Sequence, residues 1–101
     1  MRKIIAIDFD DTIFNTNYPD IGSPKWRTIE RAKAERRKGA ALILWTCRTG
    51  KALEEAVEAC KRVGLVFDAV NENLAEMIDL FNGDTRKIIA DEYWDDKAVK
   101  M

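Results

Sequence analysis

Apolar residues occur along the chain in short continuous runs, separated by polar segments and by groups at helical spacing. The continuous runs at residues 3–7 and 40–45 are typical of strands that are buried on both faces of a sheet. A shorter run at residues 65–70 and a run at residues 87–94, which two acidic residues interrupt, predict two weaker strands. The pattern therefore predicts four strands.

Two helices are indicated between the first three strands. Ser23 and Pro24 supply an N-cap and a proline at the first helical position, and Gly39 ends this helix. Apolar residues recur at helical spacing over residues 49–63, and Gly64 supplies the stop. Each of these two helices connects one predicted strand to the next.

A third helix and one irregular segment complete the prediction. Asn73, with Glu76 three residues later, resembles a capping box that opens a helix ending at Gly83. The polar stretch at residues 15–22 is predicted to be a loop or flap.

Strands and helices thus alternate along the chain. This order is typical of an α/β fold in which a parallel sheet has helices on both faces, a three-layer, Rossmann-like α/β/α arrangement. The length of 101 residues fits a single domain that spans residues 1–101. Ligands of such sheets bind at the carboxyl ends of the strands. Residues whose side chains can react or bind ligands are therefore expected directly after the apolar runs.

Acidic and hydroxyl side chains do follow these runs. Carboxylates held close together repel one another unless a cation neutralises them. Hard oxygen ligands of this kind suit Mg²⁺, which substrate phosphate also coordinates. A carboxylate can in addition attack phosphorus and form an aspartyl-phosphate. The acidic and hydroxyl residues are Asp8, Asp10, Asp11 and Thr12 after the first run, Thr46 after the second, and Asp95 and Asp96 after the last. Two basic residues accompany them, Arg48 after the second run and Lys87 at the start of the last run.

Composition narrows the choice of chemistry and of partners. Histidine is absent, which excludes serine–histidine and cysteine–histidine mechanisms and zinc sites built on imidazole. A formal net charge of −1 does not indicate nucleic acid or an anionic membrane as a partner. No apolar run approaches the roughly 20 residues that cross a bilayer, and the N-terminus lacks the apolar core of a signal peptide. A cytoplasmic protein is therefore expected.

The site residues, in their order along the chain, resemble the four motifs of the haloacid dehalogenase-like superfamily of phosphohydrolases. The resemblance covers nearly the whole chain and is carried by residues 8–12, Thr46, Lys87, and Asp95 with Asp96. It implies a minimal core of that fold without a cap domain, because residues 12–23 leave room only for a flap. The site would then be open, or closed by another subunit in a homo-oligomer.

The resemblance also implies an activity and a role for each residue. The protein would be a Mg²⁺-dependent phosphatase that hydrolyses a phosphomonoester whose identity the sequence does not specify. Asp8 would be the nucleophile, and Asp10 would protonate the leaving group and later activate water. The remaining implied roles are phosphate binding by the Thr46 hydroxyl, support of nucleophile and phosphate by Lys87, bracing of the loop by Thr12, and metal binding by Asp8, the Asp10 backbone carbonyl, Asp95 and Asp96.

Two other functions stay open. A catalytically silent binding or regulatory protein would keep the fold, and the short segment after Asp96 suggests it. A phosphoryl-receiver signalling module also uses clustered acids, a threonine and a lysine in a parallel sheet. The receiver needs an acceptor aspartate at the end of a middle strand, where this chain has Thr46 and Asn71, although Asp68 lies within the third predicted strand.

Several neighbours of the motifs are assigned simpler roles. Arg48 is left between a substrate contact and a surface arginine, and Lys51 is the alternative to Lys87. The other assignments are Cys47 and Cys60 as reduced packing residues, Trp45 and Trp94 as core, Asp91 as a kink in an edge strand, and Asn71 and Asn73 as loop and cap residues.

Overall fold

The centre of the protein is a parallel β-sheet, seen in a computed structural model that describes residues 2–80 and 88–96. The elements in chain order are β1 Ile4–Ile7, β2 Phe14–Asn17, β3 Asp20–Pro24, α1 Trp26–Arg37, β4 Ala41–Leu44, α2 Gly50–Arg62, β5 Ala69–Val70, α3 Ala75–Leu80 and β6 Glu92–Trp94. Within the described residues the central sheet has the strand order β5-β4-β1-β6. Each neighbouring pair of these strands is parallel.

Both faces of the sheet are covered. Every residue of β1 and β4 is buried, as their continuous apolar runs predict. On one face, Ile5 and Leu42 belong to a core cluster with Ile29 of α1 and Ala56 of α2. On the other face, alternate residues of the same strands pack with Met77 of α3. The predicted α/β fold with three layers is therefore confirmed.

The segment predicted as a loop or flap is a β-hairpin. Strands β2 and β3 pair in antiparallel fashion, and the turn between them contains Tyr18 and Pro19, which a cis peptide bond joins. A Cβ atom on Gly22 would lie 2.7 Å from the backbone oxygen of Asn15, so this close approach requires glycine. The prediction was wrong because backbone pairing holds this hairpin, while most of its side chains are polar and exposed.

The first helix begins later than predicted. Ser23 and Pro24 are the last residues of β3, so neither of them caps the helix. Helix α1 starts at Trp26, and its N-cap residue Lys25 makes no side-chain capping hydrogen bond. Lys25 Nζ instead donates to the backbone oxygen of Asp11 at 2.8 Å, which ties the start of α1 to the loop after β1.

Two strands are shorter than their apolar runs. Strand β5 is restricted to Ala69–Val70, and the preceding Asp68 uses its side chain to bind the neighbouring strand. Asp68 Oδ2 accepts hydrogen bonds from the N–H of Leu42 at 2.9 Å and from Arg36 at 2.7 Å. Strand β6 is restricted to Glu92–Trp94. The predicted start of this last strand at Lys87 and the predicted end of the third helix at Gly83 lie outside the described residues.

The helices are short. Helix α1 has 12 residues and α2 has 13, and each ends two residues before the glycine predicted to stop it. Within the described part of the chain, no helix is both long enough and apolar enough to span a membrane.

Candidate active site

The loop after β1 turns sharply and presents two aspartates. The side chain of Phe9 is fully buried, and its backbone oxygen accepts a hydrogen bond from the N–H of Thr12 at 3.2 Å. Asp11 has a φ of 61°, in the left-handed region that a tight turn requires. Side chains alternate in an extended segment, so Asp8 and Asp10 lie on the side away from Phe9 and the core. The two carboxylates therefore lie at the carboxyl edge of the sheet.

A cavity of about 240 Å³ lies at this edge, where β1, β4 and β6 end. Four of the predicted site residues line this cavity, although they come from the beginning, the middle and the last part of the sequence. The structure thus brings Asp8, Thr46, Asp95 and Asp96 together. The complete lining is Asp8, Trp45, Thr46, Cys47, Asp95 and Asp96.

The Asp8 carboxyl group is strongly affected by this environment. The pKa of Asp8 is raised to about 6, chiefly by burial. A backbone hydrogen bond from Phe9 opposes this rise, and the charges of Asp10, Asp96 and Asp95 contribute to it. Each neighbouring carboxylate makes ionisation of Asp8 less favourable. A cation bound among these groups would relieve the repulsion. The local charge therefore favours cation binding.

Arg48 forms an ion pair with Asp10, and the surface alternative for this residue is wrong. Its side chain is only 1% exposed, and it contacts both carboxylate oxygens of Asp10. Nη2 lies 2.7 Å from Oδ1, and Nε lies 3.0 Å from Oδ2. This hydrogen bonding lowers the pKa of Asp10. Asp10 is therefore held as a carboxylate.

Arg48 also attaches the hairpin to the loop after β1. Its Nη1 donates to the backbone oxygen of Pro19 at 3.1 Å. Its guanidinium carbon lies 4.9 Å from the ring centroid of Phe9 and 5.0 Å from that of Tyr18. Sequence reasoning missed this role because Asp10 and Arg48 are 38 positions apart. The available signal was only the position of Arg48 just after the second strand.

Thr46 is oriented by hydrogen bonds of its own. Its N–H donates to Asn71 Oδ1 at 2.8 Å, and its hydroxyl oxygen accepts from the N–H of Arg48 at 3.1 Å. Because the oxygen already accepts from the backbone, its proton can point toward a ligand oxygen. Asn71, which the sequence left as a loop residue, is therefore a positioning residue for Thr46.

Two further candidates, Asp91 and Lys51, are not among the described residues that line the cavity. Asp91 Oδ2 accepts from the N–H of Ile4 at 2.7 Å, so this carboxylate lies at the amino end of β1, at the opposite edge of the sheet. Lys87 lies outside the described residues, and its predicted role stays a prediction. Lys51, the alternative lysine, is exposed in the first turn of α2.

Thr12 braces the loop through its backbone, and its side chain is directed elsewhere. The hydroxyl oxygen is buried and has no hydrogen-bond partner within the described part of the chain. Thr12 borders a separate cavity of about 490 Å³ beside the start of α1. That cavity is larger than the one at Asp8, but no acidic side chain lines it among the residues that the structure describes. It therefore does not suit a metal ion.

The described carboxylates of the cavity could supply only part of the ligands of a metal ion. Among the residues that the structure describes, no group of three or more His, Cys, Asp or Glu side chains could hold a metal ion by itself. Mg²⁺ commonly binds through one or two carboxylates, several waters and substrate phosphate. Two carboxylates from among Asp8, Asp95 and Asp96 would satisfy this smaller requirement. The Asp10 carboxylate is occupied by Arg48, so the backbone carbonyl is the group that Asp10 can offer.

The two cysteines differ sharply in their surroundings. Both are reduced, as predicted. Cys60 is buried, and burial raises the pKa of its thiol to about 12. The packing role predicted for Cys47 is wrong, because this side chain is exposed and lines the Asp8 cavity. Its thiol therefore reports on access to the cavity.

We expect an aromatic disulfide reagent to modify one thiol per chain rapidly at about pH 8, because the reagent reaches an exposed thiol much faster than a buried one. Modification of Cys47 should be slowed by Mg²⁺ with inorganic phosphate in the cavity. The Cys47→Ser variant should show no rapid phase, whereas Cys60→Ser should keep it. A rapid phase that survives in Cys47→Ser would contradict this placement of the thiols.

The fold and cavity define an α/β protein of the Rossmann-like class with an acidic pocket at the carboxyl edge of its sheet. A solved structure of a conserved protein from Bacteroides thetaiotaomicron is similar to it, with 38% sequence identity and a TM-score of 0.84. The similarity covers 98% of this chain and 79% of that chain. The chain belongs to the same family as that conserved protein. No protein-family model matches the chain, and no curated protein matches it.

Proposed function

We propose that this protein is a Mg²⁺-dependent phosphatase that hydrolyses a phosphomonoester through an aspartyl-phosphate on Asp8. The observation that carries the proposal is the cavity that Asp8, Thr46, Asp95 and Asp96 share. Phosphoryl transfer requires a nucleophile, donors to the phosphate oxygens and metal ligands, and this cavity brings such groups together. The resemblance of these residues to the haloacid dehalogenase-like motifs supports the same reaction.

Asp8 is proposed to attack the substrate directly. One carboxylate oxygen forms a bond to phosphorus while the bond between phosphorus and the leaving oxygen breaks. Water then attacks the aspartyl-phosphate, releases inorganic phosphate and restores the carboxylate. The attack requires an ionised Asp8, and with a pKa of about 6 the group is mostly ionised at neutral pH.

Other residues of the chain are proposed to hold the phosphate and the cation. The Thr46 hydroxyl would donate to a phosphate oxygen, since a backbone N–H already occupies its acceptor side. Asp8, Asp95, Asp96 and the Asp10 carbonyl would hold Mg²⁺, which, when bound, offsets the charge of carboxylates and phosphate. Between β1 and α1 the chain inserts only the β2–β3 hairpin, so the cavity is expected to accept substrate from solvent.

The pairing of Asp10 with Arg48 bears on the choice of substrate. A general acid must carry a proton, but Arg48 lowers the pKa of Asp10 and holds it ionised. In this state Asp10 has no proton to give to a leaving group, and its lowered pKa also makes its carboxylate a weak base toward water. Leaving groups that depart without a proton should therefore be favoured. Aryl phosphates have such leaving groups and are the first substrates to test.

Hydrolysis of an aryl phosphate, measured with and without Mg²⁺, tests the proposed function. We expect turnover that requires Mg²⁺ and that excess chelator abolishes, because the clustered carboxylates repel phosphate in the absence of a cation. Turnover that persists in chelator would contradict the metal-dependent mechanism. Absence of turnover with aryl and alkyl phosphates alike would contradict the phosphatase proposal.

Asp95→Asn should chiefly weaken magnesium binding. We expect the Mg²⁺ concentration for half-maximal turnover to rise at least about tenfold, since even groups behind the metal ligands affect affinity by this much. Asp20→Asn is the matched control, because it removes an equal charge at an exposed residue of the hairpin. If both variants respond to Mg²⁺ like the unaltered protein, Asp95 is not a ligand and Asp96 becomes the candidate.

A binding protein without catalytic activity is the second candidate function. The observation in its favour is the Arg48 pair, which keeps Asp10 from acting as an acid. Under this alternative, calorimetry would detect Mg²⁺-dependent binding of inorganic phosphate, while no phosphomonoester would turn over. Under the phosphatase proposal, binding and turnover occur together.

A further inference from the structure

Trp45 forms part of the cavity wall, although the sequence analysis assigned it to the core. Its side chain is 42% exposed, and the core prediction for it is wrong. Trp94, the other tryptophan directly before a motif residue, is 2% exposed, and its core prediction is confirmed. Trp45 therefore leaves much of a large apolar surface at the cavity that holds Asp8 and Thr46.

The backbone of Trp45 is held close to the acidic residues. Its N–H donates to the backbone oxygen of Ile7 at 2.9 Å, which continues the pairing of β4 with β1 by one residue. Ile7 directly precedes Asp8, and Trp45 directly precedes Thr46. The backbone that carries the indole is thus fixed one residue before the proposed phosphate-binding hydroxyl and beside the strand that ends at the proposed nucleophile.

A second aromatic residue holds the indole from the side. The ring of Tyr93 meets Trp45 edge to face, with 6.0 Å between centroids and an interplanar angle of 69°. Tyr93 is itself held in place, because its hydroxyl donates to the Ile88 carbonyl at 2.5 Å and accepts from the N–H of Ala90 at 3.2 Å. An aromatic surface that is held in this way loses little conformational freedom when a ligand stacks on it.

We infer that Trp45 forms a subsite for a planar aromatic group of the substrate, which a short link joins to the phosphate. The inference deepens the proposed function and rests on it for the phosphate end of the ligand. The cavity of about 240 Å³ is smaller than the ~300–1,000 Å³ that enclose a whole drug-sized ligand. The phosphate end fills the cavity, and the ring stacks against the exposed indole. Aromatic ring pairs are favoured beyond the area they bury.

Two phosphonates, which no phosphatase hydrolyses, separate stacking from simple hydrophobic contact. Benzylphosphonate carries a planar ring, and cyclohexylmethylphosphonate carries a saturated ring of similar size on the same link. Calorimetry with Mg²⁺ present should show benzylphosphonate binding about 2- to 10-fold more tightly, as expected for an aromatic pair. The readout is binding, so it does not depend on turnover.

Three variants test whether Trp45 is the cause of the preference for benzylphosphonate. Trp45→Leu should lower the affinity for benzylphosphonate about 5- to 100-fold, the range of a lost stacking platform, and should remove the preference between the two compounds. Trp45→Phe should retain most of the preference, because it keeps an aromatic ring. Trp26→Leu is the control, since Trp26 is 53% exposed and does not line this cavity.

The outcomes distinguish this inference from the proposed function. Equal binding of the two phosphonates, loss of the preference in Trp26→Leu as well, or no binding of either compound would overturn the aromatic subsite. If aryl phosphates are hydrolysed but the preference for benzylphosphonate is absent, the proposed phosphatase activity is retained and the aromatic subsite is rejected. A preference lost in Trp45→Leu supports the subsite, even in a protein without turnover. Binding of thymidine 5′-monophosphate and of free phosphotyrosine then distinguishes a nucleotide from an aryl phosphate source.

Discussion

Replacement of Asp8 by asparagine is expected to abolish Mg²⁺-dependent hydrolysis, lowering kcat by about 10⁴-fold or more. Asparagine keeps the size of the side chain but cannot form the acyl-phosphate bond. The measurement is hydrolysis of an aryl phosphate by the unaltered protein and by Asp8→Asn under identical conditions. Turnover that the variant retains would exclude Asp8 as the nucleophile.

The same substitution is expected to stabilise the metal-free protein above pH 6. The pKa of Asp8 is about 6 in the folded protein, compared with an ordinary value of 3.8, so the folded state binds the proton more tightly. The free energy of unfolding therefore decreases as the pH rises from 3.8 to 6, and the loss persists at higher pH. Asparagine carries no charge and avoids this loss. We expect a gain of about 1–2 kcal/mol, a reduced figure because solvent screens this partly exposed group.

Thermal unfolding in chelator tests this stabilisation. At about pH 7.5 the Tm of Asp8→Asn should exceed that of the unaltered protein by roughly 4–16 °C, and at about pH 4 the two should agree. Mg²⁺ should raise the Tm of the unaltered protein more than that of the variant. Asp20→Asn serves as the control, because it removes a charge at an exposed residue that does not line the cavity. A gain of equal size at both pH values would show that relief of charge repulsion is not its cause.

Replacement of Arg48 by methionine is expected to cause a large loss of stability. The change leaves the Asp10 carboxylate without its partner and removes the contact with the Pro19 carbonyl. Removal of one partner from a buried ion pair costs about 3–5 kcal/mol. Asp10 keeps 30% exposure, so we expect about 2–4 kcal/mol here and a Tm lower by roughly 10–25 °C. Arg27→Met, at an exposed position of α1, should change the Tm by little.

A double-mutant cycle separates the ion pair from the other contacts of Arg48. Asp10→Asn removes the carboxylate charge that Arg48→Met would leave without a partner. The loss in the free energy of unfolding of the double variant should therefore be about 1–3 kcal/mol smaller than the sum of the losses of the two single variants. Chemical denaturation gives the four free energies of unfolding. Simple additivity would show that Arg48 stabilises the protein through the hairpin and the aromatic rings alone.

The sequence predicted well where local pattern and burial agree. Strands β1 and β4 are continuous apolar runs, and both are buried throughout. The hairpin at residues 14–24 was missed, because its polar side chains carry no period that distinguishes a strand from a loop. The predicted start of α1 at Ser23 and Pro24 was wrong for a related reason, since pairing of β3 with β2 keeps these two residues in a strand.

For the site too, local pattern predicted some features and missed others. The apolar runs predicted that Asp8, Thr46, Asp95 and Asp96 follow strands of one parallel sheet, and these residues do line one cavity. The burial of Arg48 was not predictable, because no nearby residue of the sequence indicates its partner Asp10.

The sequence by itself determined the α/β class and the edge of the sheet at which chemistry is expected, because both follow from periodicity over a few residues and from strand direction. Only the tertiary structure decided which side chains touch. The pairing of Arg48 with Asp10 and the exposure of Trp45 depend on the strand order β5-β4-β1-β6 and on where the hairpin lies. Contacts between residues far apart in the chain arise from packing of whole elements, and local pattern does not encode them.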